Sequence, residues 1–259
     1  MGEHLNKAPL VEALLELKWA LHQDSEAAPL RDLAYPTIIG LLYSRVKNDY
    51  PFIERLPQSI LPAELIPSLP THRFRKGENE WPLIQIGPGI ATLNFTVSYS
   101  WETFQSEALR LANDFMSSYE SAVTNPPLLQ QITLRYINAI PFQFKDQDVY
   151  DFLESKLHVI LQFPTMMTES LSNGQTEHLN LQVNYRIAKP AGIGALTIGR
   201  GEKQGKPTLV WDLAIASFGT DVPNVTGLSS WLSEAHSVLQ NWFLTLVHGD
   251  LLESFKGGE

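Results

Sequence analysis

APLVEALLELKWAL, residues 8–21, supports two readings, and the choice between them decides the fold. Taken every second residue, Val11, Ala13, Leu15, Leu17, Trp19 and Leu21 are apolar, with Glu12, Glu16 and Lys18 between them. That is the period of a half-buried strand. Taken at spacings of three and four, Leu10, Leu14, Leu17 and Leu21 share one side, and the Ala/Leu/Glu/Lys content favours a helix.

The segments downstream break the tie. Residues 35–51, YPTIIGLLYSRVKNDYP, carry a helical stripe of Ile38, Leu41, Leu42 and Val46, with Pro36 suited to a first turn and Pro51 to a stop. Residues 57–70 hold four prolines and predict a looped or extended excursion. THRFRK, WPLIQIG and GIATLNFTVSY then read as three strands joined at KGENE and GPG. A long helix opens at Trp101 and Glu102, with Phe104, Ala108, Leu111, Phe115 and Tyr119 on one face.

The pattern then begins again. Residues 128–142 alternate, placing Ile132, Leu134, Tyr136, Asn138 and Ile140 on one face. A short helix at DVYDFLESKLHVI follows, then strands at FPTMMTES, HLNLQVNYRIA, GIGALTIGRG and PTLVWDLAIASFG. A last helix runs from about Ser229 to Phe255, with Trp231, Ala235, Leu239 and Trp242 on its apolar stripe. Each part, residues 1–125 and 126–259, is a strand, a helix, several antiparallel strands and a long helix. The repeat is one of element order, not of residues. Residues 9–21 hold the place of the plain strand at 130–141, so the strand reading prevails over local propensity. The expected fold is α+β: two similar halves in one compact unit, forming a curved sheet backed by helices, with a saddle-like or helix-grip arrangement.

Composition narrows the function classes. The chain has 259 residues, 44% hydrophobic and 18% charged, as folded globular proteins do. The absence of cysteine excludes disulfides, thiolate metal sites and cysteine nucleophiles. The net charge of −9 argues against a phosphate-wrapping surface. The basic stretches His72, Arg73, Arg75, Lys76 and Arg200, Lys203, Lys206 read as solvated hairpin ends. No apolar run approaches the roughly 20 residues of a membrane span. With no basic-then-apolar leader in MGEHLNKAPL, the expectation is a soluble, cytoplasmic protein.

Four stretches, NKAPLVEALLELKW, QIGPGIATLNFTVSYSWETF, LRYINAI and AHSVLQNWFLTLV, occur in this order. Together they resemble a sporadically distributed bacterial family of unknown function whose members have about this length. The positions that match its motifs are Pro9, Glu12, Gly87, Asn94, Tyr99, Trp101, Arg135, Tyr136 and Asn138. The resemblance implies an extended first segment, because β-branched and aromatic residues are usual there; Ala13, Leu14 and Leu15 depart from that habit. It implies no catalytic role. The patchy distribution is that of mobile accessory genes such as phage-defence or toxin–antitoxin modules.

The polar groups on apolar strands are the site candidates. A regular pleat sets Arg135 on the face opposite Tyr136 and Asn138. Arg135, Tyr136, Asn138 and Tyr185 read either as the lining of a ligand cleft or as mutually satisfied polar groups, with Arg135 paired to Glu12. Glu12 and Glu16 share a strand face about 13 Å apart, too wide for paired catalytic carboxylates. Asp212, inside an apolar strand, reads as a structural ion pair, with a general base or metal ligand as the alternative. No two of the seven histidines have the spacing of a zinc helix, so no metal or cofactor is expected. GIGALTIGRG lacks the context of a phosphate loop and reads as a strand. Tryptophans on apolar stripes of an acidic chain read as core, and nucleic acid is not an expected partner.

The leading expectation is a non-catalytic binding or regulatory protein that engages a protein partner, one encoded nearby, through the sheet face or the groove between halves. The wide apolar arc of the last helix reads either as deep burial or as a contact between copies of the chain, a homo-oligomer. The alternatives are a small-molecule or nucleotide sensor with a cleft in the sheet, and a metal-dependent hydrolase using Glu12, Glu102 and Asp212.

Overall fold

The computed structural model describes residues 5–96, 99–124, 127–164, 176 and 178–257. The opening segment is a strand, β1 (Leu10–Trp19). It pairs antiparallel on both sides, with β5 (Ile90–Phe95) and with β6 (Leu129–Pro141). Two neighbours satisfy its backbone donors and acceptors along nearly the whole length, which outweighs its helix-favouring composition. Ala13, Leu15, Leu17 and Trp19 are buried, whereas Glu12, Leu14, Glu16 and Lys18 stay half-exposed on the other face. In a helix, Leu15 and Trp19 would have fallen off the apolar stripe.

Among the described residues, nine strands form one antiparallel open sheet. The remaining strands are β2 (Phe52–Arg55), β3 (His72–Arg75), β4 (Leu83–Gly87), β7 (Asn180–Ala188), β8 (Ala191–Lys203) and β9 (Lys206–Phe218). The order across the sheet is β2-β3-β4-β5-β1-β6-β9-β8-β7, so β1 and β6 are adjacent at its centre. Five helices accompany it among the described residues: α1 (Tyr35–Val46), α2 (Trp101–Ala122), α3 (Val149–Leu157), α4 (Leu228–Val247) and α5 (Asp250–Lys256). One hydrophobic cluster joins the buried faces of β1, β5, β6 and β9 to the helices.

Local sequence accounts for the helix ends. Ser100 caps α2 by accepting from the Thr103 amide at 3.2 Å. Asp148 caps α3 through the Tyr150 and Asp151 amides. The apolar stripe predicted as one helix over 229–255 is two, because Gly249 takes φ +81° and turns the chain between α4 and α5. A second requirement for glycine is steric. Gly87 faces the proline-rich segment, where an added Cβ would lie 1.9 Å from the Leu69 carbonyl oxygen.

Residues 57–70 form the expected irregular excursion, with two short 3₁₀ turns at 57–60 and 63–65. The edge strand β2 was not expected after Pro51. Its Glu54 takes Arg75 at 2.8 Å and Arg73 at 3.4 Å, and the Arg75 guanidinium lies over Trp81. The basic stretch at 72–76 is therefore largely built into the sheet edge rather than solvated, with His72 and Arg75 buried. Most of the expected FPTMMTES strand lies outside the described residues; Phe163 and Pro164 are in no regular element.

Among the described residues, no helix is long and apolar enough to cross a membrane.

Candidate ligand-binding cleft

Period-two alternation on β6 sends neighbouring residues to opposite sides, and the candidate residues part company accordingly. Arg135 lies on the face away from the buried core. Its Nε donates to Asp212 Oδ2 at 2.7 Å, and Nη2 reaches the same oxygen. Arg135 stands opposite Ala214, and Asp212 opposite Ile137, so the ion pair runs diagonally between β6 and β9. Hydrogen bonding to Asp212 is the main cause of the raised Arg135 pKa, with Glu12 and Glu16 adding charge. The partner is thus Asp212 rather than Glu12, and Asp212 stands in an ion pair. Glu12 instead accepts from Asn94 Nδ2 at 2.7 Å, and Glu16 pairs with Lys18 at 2.8 Å.

Tyr136 and Asn138 face the helices. There they line a cleft of about 570 Å³ between β6, the start of α2, the middle of α4 and the segment 5–10. Tyr185 is elsewhere, on edge strand β7, 52% exposed and edge-on to Trp242. Glu102 is at the cleft and Glu12 and Asp212 are on the opposite face, so the carboxylates of the hydrolase alternative do not converge. No group of three or more metal-ligating side chains occurs among the described residues.

A hydrogen-bonded chain runs along the cleft wall. Tyr99 Oη is 2.8 Å from Tyr136 Oη, which is 2.9 Å from His236 Nδ1. Burial raises the pKa of both tyrosines, so both stay protonated. Burial lowers that of His236 to about 4, against a smaller opposing pull from Glu102. The imidazole is therefore neutral at ordinary pH. With Nδ1 as acceptor, Tyr136 donates to His236 and Tyr99 donates to Tyr136. His236 also stacks on Trp101 at 3.9 Å between centroids and 5° between planes.

Two carboxamides complete the polar lining. Asn138 is 2% exposed, and the one hydrogen bond of its side chain among the described residues is a long 3.5 Å donation to the Trp211 carbonyl. Gln240, one turn beyond His236 on α4, lines the cleft, and its side chain makes no hydrogen bond among the described residues. Leu10, Leu213, Leu239 and Phe243 supply apolar walls. The segment before β1 closes one side and is tied to α5 by Lys7 N to Phe255 O and Asn6 Nδ2 to Lys256 O, each 2.9 Å.

Tyr136 and Asn138 carried a sequence signal, as alternate residues of a strand. Tyr99 and Trp101 were matched motif positions without a role. His236 and Gln240 fell within the stretch AHSVLQNWFLTLV that carries the resemblance, but neither was among its matched positions, and His236 was otherwise only a histidine lacking a zinc-spaced mate. Neither the scan against protein-family models nor the search of curated proteins finds a match to this chain.

Proposed function

We propose that this chain is a non-catalytic binding protein, built from two copies of one α+β unit, that holds a small molecule in the cleft beside the junction of the two copies. The duplication is supported by strand order: outward from the centre, β1, β5, β4 and β3 answer to β6, β9, β8 and β7. Each series is followed by a long helix, α2 or α4, and the cleft lies between them. The observation that carries the binding reading is the combination of Asn138, nearly fully buried yet poorly bonded, with an aromatic hydrogen-bonded wall in a cavity of ligand-binding size.

The test is a ligand-observed screen of neutral fragments against the full chain and an Ala8→Trp variant. Ala8 is an exposed residue at the cleft edge, so tryptophan there blocks the cleft without entering the core. Fragments that bind the native chain and lose at least tenfold in the variant support the reading; equal binding to both, or none to either, overturns it.

A second reading keeps the protein partner: a cytoplasmic accessory component of a bacterial defence or toxin–antitoxin-like module, self-associated or bound to a neighbouring gene product. It is supported by the resemblance and by the sheet face opposite the core, where Leu14, Ile137, Ala214 and Ala216 remain half-exposed around Arg135 and Asp212. Co-purification from native expression tests it, and Arg135→Glu would abolish a complex seated on that face.

A further inference from the structure

Resting on the cleft reading, we propose that the ligand is a neutral, planar heteroaromatic ring with an amide-like edge, a free nucleobase or the base of a nucleoside, and not a phosphorylated or carboxylated molecule.

The charge of the lining comes first. Glu102 is the single charged side chain of the lining, and no lysine or arginine is among the lining residues. His236 is held neutral and both tyrosines protonated. An anionic ligand would meet no counter-charge and one repelling carboxylate. The start of α2 does not compensate. Ser100 already takes the Thr103 amide, and Glu102 in the first turn offsets the helix dipole.

The hydrogen-bonding groups left over are neutral and of mixed sense. Asn138 Oδ1 accepts from nothing among the described residues, and it is not one of the wholly enclosed unpaired atoms; it therefore opens to the cleft. Gln240 contributes a second carboxamide, one whose side chain makes no hydrogen bond among the described residues. His236 Nε2 makes no hydrogen bond among the described residues, because the contact to Tyr136 uses Nδ1. A carboxamide offers a donor and an acceptor side by side, the complement of a base edge that presents N–H next to C=O or ring nitrogen.

The remaining wall suits a flat ring. The lining combines the stacked Trp101–His236 pair, Tyr99 and Phe243 with the aliphatic side chains of Leu10 and Leu239. The volume of about 570 Å³ admits a base with its sugar.

Isothermal titration of the full chain at pH 7.5 against adenine, guanine, cytosine and uracil, their nucleosides, the 5′-monophosphates and a short single-stranded oligonucleotide tests the assignment. The expected result is saturable binding of at least one base or nucleoside, with its monophosphate and the oligonucleotide at least tenfold weaker. Glu102→Gln should narrow the gap to the monophosphate at least threefold. Asn138→Leu, or Gln240→Leu if the first variant does not fold, should weaken the base at least tenfold with a thermal midpoint no lower than that of the native chain. No binding by any base or nucleoside, a monophosphate or oligonucleotide that binds as tightly, or unchanged affinity in both leucine variants would overturn it. Neutral fragments blocked by Ala8→Trp alongside a failure of all bases would leave the cleft as a binding site and remove the nucleobase assignment alone.

Discussion

Asp32 does more for this fold than its place in a connector suggests. The residue is 8% exposed, and its carboxylate accepts from Trp19 Nε1 at 3.0 Å, Gly89 N at 3.0 Å, Ala34 N at 3.1 Å and Tyr119 Oη at 3.1 Å. One side chain thus ties together the end of β1, the β4–β5 turn, the start of α1 and the last turns of α2. Asp32→Ala leaves four donors without their charged acceptor, and we expect a loss of about 3 kcal/mol in urea unfolding, with Asp32→Asn recovering part of it. His236 contributes a pH dependence of definite sign. Its pKa of about 4 in the folded state lies below the unfolded value of ~6.5. Above pH 6.5 both states are neutral and the residue contributes nothing; as pH falls from there towards 4, the unfolded chain takes up a proton that the folded one refuses. Stability therefore declines across that window, by on the order of 1–2 kcal/mol once solvent screening is allowed for. Thermal midpoints of the native chain and His236→Gln, followed from pH 7.5 to 4, should converge by about 2–4 °C for each kcal/mol, with the native chain losing more.

Strands and helices were legible where a period could be counted, and only there. β6 shows its alternation plainly, and β1 became readable by analogy to it, since its own composition argues for a helix. The break between α4 and α5 hinges on one glycine in a stripe whose apolar spacing otherwise continues. Alternation also separated Arg135 from Tyr136 and Asn138 correctly, but it gave the wrong partner. Glu12 and Asp212 both lie on neighbouring strands, and register, set by the bulge between Leu10 and Glu12 on one side and by plain pairing on the other, decides which reaches the guanidinium. The pair has a measurable consequence between elements. Arg135 is 43% exposed and Asp212 13%, so the arginine is the dispensable charge and the carboxylate the stranded one. Arg135→Met should cost about 1–2 kcal/mol, and Arg135→Met with Asp212→Leu should regain most of that loss. A double-mutant cycle in chemical denaturation gives the coupling directly; a cycle that closes to zero would mean that solvent already satisfies both groups.

At the scale of the molecule, the cleft depends on contacts that no window of sequence contains. Tyr99 in the segment before α2, Tyr136 on β6 and His236 on α4 meet in one hydrogen-bonded chain, although the last two are 100 residues apart. Long-range convergence of this kind leaves no local periodicity, which is why Tyr136 and Asn138 could be picked out and His236 and Gln240 could not. The same geometry bears on how the chain unfolds. β1 and β6 pair along almost their whole length at the centre of the sheet, and a single hydrophobic cluster runs through both parts of the chain. Separating them would expose two long strand edges and the inner faces of α2 and α4 together, a cost that neither part can meet alone. Unfolding should therefore be one cooperative transition, with calorimetric and van't Hoff enthalpies equal despite the length of the chain. Native-state hydrogen exchange sharpens the expectation. Amides of β5 and β9 sit on opposite sides of the central pair, and both should open at the same, global free energy. Leu134→Ala, at a fully buried position of β6, should lower both by an equal 2–5 kcal/mol, consistent with about one large cavity. A fall confined to β9 would show that residues 126–259 open while the first part stays folded, and the cleft would then lie on a boundary that parts before the protein unfolds.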